Sequence, residues 1–294
     1  MHLVYKAAKW GAAAEGGRKA SQCACSQRTL ARRTTSSTAL TEPSGSQTER
    51  VGKNITRADP NDGLKLSSMP VPNVHQSGGQ DGLMGMAFDP DFNNTRYIYV
   101  AYMYDADPGE ELDRRTKITR FTYNSPEAST IGDPPDLIHG LSGSVDHNSG
   151  RMTFGPDGKL YYTIGDQGKN QFSLYCEPIR AQVLPTAEQV EAKNWSAYEG
   201  KVLRMNPDGS IPADNPVIDG VRSHHIFTYG HRNAQGIAVG SNSDLYIAEH
   251  GDKSDDEFNR LQAGRNYGWP NVPATKTTKR IRTPTGLARR TARN

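Results

Sequence analysis

The chain has 294 residues, 35 Lys and Arg against 32 Asp and Glu, a net charge of +3, and 34% hydrophobic residues. That length allows one or two globular domains. No stretch approaches the ~20 apolar residues of a membrane span, and no apolar core of a secretory signal follows the first lysines.

The small net charge hides a division. Residues 1–50 hold eight Lys and Arg and three Asp and Glu, a balance of +5, and residues 274–294 hold seven Lys and Arg and no acid, a balance of +7. Residues 51–273 are therefore at −9, from 3 − 5 − 7. A basic end can meet nucleic acid or an anionic membrane. These ends carry neither a basic face on a periodic helix nor an aromatic stacking platform, so no nucleic-acid partner is expected.

Residues 1–74 read as a low-complexity head rich in Ser, Thr, Gly, Ala and Arg, too poor in large apolar groups to offset the entropy of ordering. Cys23 and Cys25 lie there as Cys-x-Cys, a metal pair only if a second pair stood nearby; with Cys176 they read as unpaired thiols. Residues 75–273 read as short strands and turns. One pattern recurs: "GMAFDPDFNNTRYIYVAY" from Gly85, "RMTFGPDGKLYYTIGD" from Arg151 and "GIAVGSNSDLYIAEHG" from Gly236. Each is a small apolar strand, a turn of Pro, Asp, Asn or Gly, and a second strand with Tyr and β-branched residues.

A repeated hairpin ending in a polar loop predicts an all-β fold built of propeller blades. Phe88 to Phe154 spans 66 positions and Phe154 to Val239 spans 85. Both exceed one blade of ~40–50 residues, so inter-strand insertions are required. "MYDADPGEELDRRTK" and the segment from Asn170 to Gly200 are the candidates. Helical periodicity is limited to Pro185–Lys193. A two-sheet sandwich is the alternative fold. Residues 274–294 read as a basic tail without fixed structure.

Polar clusters fall at the strand ends: Gln80 and Asp81; Asp146, His147 and Asn148; Asp166 and Gln171; Arg232 and Asn233; Glu249; and an acidic run at Asp252, Asp255, Asp256 and Glu257. In a propeller the loops at one end converge, so these groups could share a pocket. His147 is a candidate general base with Asp166 as its orienter. Arg232 suits an oxyanion or an anionic cofactor. The acidic run suits Ca2+, although the EF-hand spacing is absent. Plainer readings stand beside these: His147 capping a turn, Asp166 satisfying loop amides, and a solvated acidic turn.

The motifs "GLMGMAFDPDFNNTRYIYVAY", "DHNSGRMTFGPDGKLYYTIGDQGKNQ", "YEGKVLRMNPDGSIPADNP", "YGHRNAQGIA" and "SDDEFNRLQAGRNYGWPNV" resemble, in order over about residues 78–272, the soluble PQQ-dependent glucose dehydrogenases of the glucose/sorbosone dehydrogenase family. The resemblance implies a six-bladed β-propeller that uses PQQ and Ca2+ to oxidise an aldose at its anomeric carbon to the lactone and passes electrons to an external acceptor. It implies His147 as the base, Asp166 as its orienter, and Gln80, Asp146, Gln171, Arg232 and Asn233 as cofactor or substrate contacts. Gly251 and Asp252 fall where two backbone carbonyls hold the catalytic Ca2+, the second commonly proline in the family. Asp256, Glu257 and Tyr267 fall where a second Ca2+ sits near a homodimer contact.

Family members are generally periplasmic or exported. The family pattern continues beyond "NYGWPNV", where this chain turns basic, and the head stands where a first blade is expected. That implies truncation at both ends, about four retained blades with open edges, and a chain that folds poorly and acts weakly by itself. Two other functions remain: a non-catalytic Ca2+-stabilised propeller that binds a protein or glycan, and a Ca2+-dependent lactonase.

Overall fold

A computed structural model describes residues 53–58, 62, 65–124, 135–171, 174–221, 224–253 and 255–271. The readings for residues 1–52 and 274–294, with Cys23 and Cys25, lie outside them.

The described chain is almost entirely β. Strands β1 (Asn54–Ala58) and β2 (Lys65–Pro70) form an antiparallel pair. Strands β3 (Leu83–Phe88), β4 (Tyr97–Asp105), β5 (Arg114–Thr122) and β6 (Asp136–Ser142) form a four-stranded meander. A second meander contains β7 (Ser149–Phe154), β8 (Leu160–Ile164), β9 (Lys201–Met205) and β10 (Ile226–Tyr229). A three-stranded one contains β11 (Ala234–Val239), β12 (Leu245–Glu249) and β13 (Glu257–Arg260). The repeated hairpins are thus β3–β4, β7–β8 and β11–β12.

Side-chain alternation stacks the sheets face to face. On β4, Ile98, Val100 and Tyr102 join Ile55 and Met69 of the first pair and Val71 and Val74 just after it. From the opposite face of the same strand, Tyr99 and Ala101 join Leu160, Tyr162 and Leu203 of the next meander. Tyr161 and Val202 then point the other way, to Ala234, Leu245 and Ile247. Strands β8 and β9 are buried along their whole length, as central strands covered on both faces must be. Four sheets in sequence order, each covering the next, make a partial β-propeller; among the described residues no strand pairing joins the first sheet to the last. A two-sheet sandwich does not have this arrangement.

The inner strands β3, β7 and β11 lie side by side. A Cβ at Gly85 would stand 2.0 Å from the Gly150 carbonyl oxygen, so glycine is what lets β3 approach β7. The Arg151 guanidinium on β7 donates to the Met84 carbonyl of β3 and, at 3.2 Å, to the Gln235 carbonyl of β11. Thr163 of β8 donates to the Ala234 carbonyl at 3.0 Å. Each inner strand also slips register at its first residues: Leu83/Gly85, Ser149/Met152 and Ala234/Gly236. Bulges of this kind re-aim side chains at a sheet end, and here all three lie at the end where the polar loops gather.

Two expectations are corrected. The sequence shows no pattern up to residue 74, yet Asn54–Ala58 and Lys65–Pro70 form β1 and β2. Their few apolar side chains find partners on β4 and β5, so burial comes from tertiary contact that no local periodicity reveals. The first expected insertion shrinks to the loop at residues 106–113 between β4 and β5.

The second insertion is real. Between β8 and β9 it holds a short helix at Ala187–Glu191, started by a capping box of Thr186 and Gln189, inside the one stretch read as helical. Trp195 anchors this segment by donating to the His139 carbonyl at 2.9 Å. Lys201, fully buried, ties its middle to its end: Nζ donates to the carbonyls of Arg180 at 3.2 Å, Ala181 at 2.8 Å and Glu199 at 2.7 Å. Among the described residues no helix is long and apolar enough to cross a membrane.

Burial pushes the Lys201 ammonium from an ordinary 10.5 down to about 7, against the pull of Glu199. Between those values the unfolded chain holds a proton that the folded chain lacks, so stability rises with pH from about 7; below it both states are protonated and this contribution is flat. The urea midpoint is expected to gain between about pH 7 and 9 from this group, and Lys201→Met should remove that gain. Parallel pH profiles for the two proteins would contradict the assignment.

Candidate functional site

The polar loops meet where the inner strands begin. Gln80 precedes β3, the run Asp146–Asn148 precedes β7, and Arg232 and Asn233 precede β11, while Asp166 follows β8 and His250 follows β12. Backbone bonds lock these loops together. Gln80 donates to the Val145 carbonyl at 2.8 Å, Asp166 to that of Arg232 at 2.8 Å and His250 to that of Asn233 at 3.1 Å. A Cβ at Gly165 would sit 1.9 Å from the His147 carbonyl oxygen, so the end of β8 reaches the His147 loop only as glycine. His147 itself has φ 49° and Ser149 φ 56°, left-handed conformations of a kind that concentrates at functional sites.

At the centre His147 Nδ1 lies 2.7 Å from Asp166 Oδ1, both residues being buried. Asp166 also accepts from the Gly168 amide at 3.0 Å and from Trp269 Nε1 at 2.8 Å. A carboxylate only accepts, so Nδ1 carries the proton and Nε2 keeps its lone pair. The Gln171 amide fits this tautomer. Its Nε2 lies 2.9 Å from His147 Nε2 and 3.4 Å from Asp146 Oδ2, and its Oε1 accepts from the Arg232 guanidinium at 3.1 Å. Gln171 thereby bridges the basic nitrogen and the cation.

Arg232 is buried, and its guanidinium lies 5.3 Å from the Trp269 ring centroid. Its other contacts are weak: the His250 carbonyl at 3.4 Å and the Asp252 carboxylate at 3.9 Å. Its Nε is buried with no partner. On the far side Gln80 Oε1 accepts from Asn233 at 3.3 Å and Gln235 at 3.2 Å, and Asn148 donates to the Gln80 carbonyl at 3.1 Å.

The structure therefore gathers Gln80, Asp146, His147, Asp166, Gln171, Arg232 and Asn233. The expected metal residues behave differently. Gly251 and Asp252 continue the His250 loop beside Arg232. Asp256 accepts from the Gly251 amide at 3.0 Å and faces His250 at 3.6 Å. Glu257 accepts from Asn259 at 2.6 Å, and burial pushes its carboxyl upward. The Tyr267 hydroxyl donates to the Arg260 carbonyl and accepts from the Gln262 amide. Among the described residues no three His, Cys, Asp or Glu side chains converge on a metal. Asp256, Glu257 and Tyr267 thus form no ready cage of side chains.

Sequence reasoning missed Trp269. It lies inside "NYGWPNV", but nothing local ties that tryptophan to an aspartate 103 positions away. Replacing it by Phe keeps a ring beside Arg232 and removes one bond to a buried carboxylate. Trp269→Phe is expected to cost about 1.5–3 kcal/mol in urea unfolding, as hydrogen bonds to charged groups do. A change within about 0.5 kcal/mol, the size of an ordinary surface substitution, would dismiss the bond.

The glucose/sorbosone dehydrogenase family model matches residues 40–290. Quinoprotein glucose dehydrogenase B of Acinetobacter calcoaceticus is 47% identical over 232 residues, covering 78% of this chain and 48% of that protein. Aldose sugar dehydrogenase YliI of Escherichia coli is 31% identical over 220 residues, covering 71% and 51%. The PQQ-bound aldose sugar dehydrogenase of Streptomyces coelicolor superposes with a TM-score of 0.61 at 30% identity, covering 77% of this chain and 59% of that one. The chain spans about half the length of these curated relatives. With that match, and with the blades already described, the chain belongs to the glucose/sorbosone dehydrogenase family.

Proposed function

We propose that this chain binds PQQ and Ca2+ and oxidises an aldose such as glucose at its anomeric carbon, with His147 as the base. The observation that carries the reading is the continuous chain from Trp269 through Asp166, His147 and Gln171 to Arg232. It places an oriented lone pair and an under-neutralised cation on two sides of one amide.

The residues present suit an anionic quinone. A buried Arg232 Nε without an acceptor is costly unless a ligand supplies one. Arg232, Asn233 and Gln80 would hold PQQ, Gln171 would meet the sugar, and the carbonyls of Gly251 and Asp252 would hold Ca2+. Oxygen ligands of that kind suit a hard cation. When bound, PQQ supplies the two-electron acceptor that takes the anomeric hydride, and an external acceptor later takes the electrons.

The protein's own part follows from the geometry. A sugar hydroxyl takes the place of the Gln171 amide at His147 Nε2 and gives up its proton there. Asp166 holds the ring in the required tautomer and stabilises the imidazolium that forms. Loss of the anomeric hydride with its electron pair turns that carbon into the lactone carbonyl. Arg232 faces the negative charge that develops opposite the base. The release of Gln171 leaves its oxygen and nitrogen free for the other sugar hydroxyls. Export from the cytoplasm is part of the proposal, on family grounds.

Purified chain supplied with PQQ, CaCl2, glucose and a dye acceptor should reduce the dye. The ratio of variant to parent rate is the measure. His147→Ala is expected to lower the rate by about 10²–10⁴, the share of a general base, while PQQ binding persists. Equal rates in the two proteins, or a parent that fails to bind PQQ, would sink the proposal.

A further inference from the structure

Behind Arg232 lies a second acid–imidazole pair that the proposed reaction does not use. His231 Nδ1 is 2.9 Å from Glu249 Oε2, and His231 Nε2 is 2.9 Å from Thr228 Oγ1. The His231 ring stacks on Tyr267 with centroids 4.6 Å apart and planes 25° apart. His231 is fully buried and Glu249 is 6% exposed. With a hydroxyl, a carboxylate and an aromatic face all in place, the imidazole has no freedom to reach a substrate. It is a prop.

Glu249 uses its other oxygen for something else. Oε1 accepts from the backbone amide of Arg232. That amide precedes β11 and belongs to no strand ladder, so the carboxylate is its acceptor. The carbonyl of the same residue accepts from the Asp166 amide at 2.8 Å. The Arg232 main chain is therefore pinned at both ends, by Glu249 on one side and by the backbone of the base's orienter on the other. A guanidinium with few firm side-chain contacts needs such a mount if it is to stay opposite His147. Its hydrogen bonds go to one amide oxygen at 3.1 Å and a carbonyl at 3.4 Å, and beyond them it has the Asp252 carboxylate at 3.9 Å and the Trp269 ring.

We propose that the buried Glu249–His231 pair is a positioning device: it fixes the Arg232 backbone and so aims the guanidinium at the quinone anion. The inference rests on the reading of Arg232 as the cofactor's cation. Glu249 and His231 touch no substrate and move no proton.

The substitutions separate geometry from bulk stability. Glu249→Leu removes both acceptors. Glu249→Gln keeps an oxygen for the Arg232 amide and turns its NH2 toward His231 Nδ1; the imidazole then exchanges tautomer and donates from Nε2 to Thr228. Binding of PQQ to the full chain, followed by fluorescence quenching, is one readout. Backbone amide exchange at Arg232 without PQQ is the other.

Glu249→Leu and Arg232→Met are each expected to weaken PQQ binding by about tenfold, the double variant to be no weaker than about twofold beyond either, and Glu249→Gln to stay within about threefold of the parent. In Glu249→Gln the Arg232 amide should exchange about tenfold faster, because a neutral oxygen is the weaker acceptor. Full additivity of Glu249→Leu and Arg232→Met, or unchanged PQQ affinity in Glu249→Leu, overturns the inference. So does unchanged exchange at Arg232 in Glu249→Gln, which decides the matter even if Glu249→Leu does not fold. An Arg232→Met variant that binds PQQ like the parent brings down the cofactor reading instead, while the exchange result still reports on the mount.

Discussion

The three inner strands depend on one guanidinium. Arg151 stands on β7 and donates to carbonyls on both neighbours, β3 and β11. Inner strands of adjacent blades cannot pair edge to edge, since each blade's ladder runs outward from the axis. Their facing carbonyls would be left without donors at the narrowest part of the wall. A side chain with five fixed donors answers that need in a way lysine cannot. The glycine at position 85 completes the arrangement by letting β3 and β7 touch through backbone. Everything at the site inherits its placement from this seam, because each polar loop is the short lead-in to one of the three strands.

From that seam the site is built largely of main chain. Asp166 is held by its own amide, Arg232 by both its amide and its carbonyl, and Gln80 by its amide and carbonyl. Side chains mounted on a backbone fixed in this way lose little entropy when they act, since the ordering was done on folding. The left-handed His147 and Ser149 show the same economy: local strain is tolerated where neighbouring bonds over-determine the loop.

How much of this could be read from sequence depends on whether the signal is local. The hairpins β3–β4, β7–β8 and β11–β12 announced themselves through alternation and turn chemistry, and the short helix at Ala187–Glu191 through the helical periodicity of Pro185–Lys193. Strands β1 and β2 did not, because Ile55 and Met69 acquire their burial from β4 and β5. The same divide runs through the site. His147, Asp166 and Arg232 stand out by residue type in polar loops. Trp269 does not, because its indole N–H has a remote partner; Glu249 stands out as a polar residue at a strand end, but nothing local ties it to His231 and the Arg232 amide. Only the fold brings each to the atom it serves.

The acidic loop shows how structure shifts the weight of an argument. Four carboxylates between positions 252 and 257 suggest, as sequence, mutual repulsion that a cation must relieve. In the folded chain that repulsion is largely dispersed. Asp252 leans toward Arg232, Asp256 toward the Gly251 amide and His250, and Glu257 turns to Asn259. Solvent screens the most exposed of them, so little electrostatic cost is left for a metal to relieve through side chains. What recommends the loop for Ca2+ is its position: residues 251 and 252 continue the loop whose His250 carbonyl and Asp252 carboxylate face Arg232, a buried arginine still short of an acceptor. An anionic ligand that satisfied Arg232 would bring its own oxygens to that place. Cation and anion would then be bound together, each supplying what the protein leaves unfilled for the other.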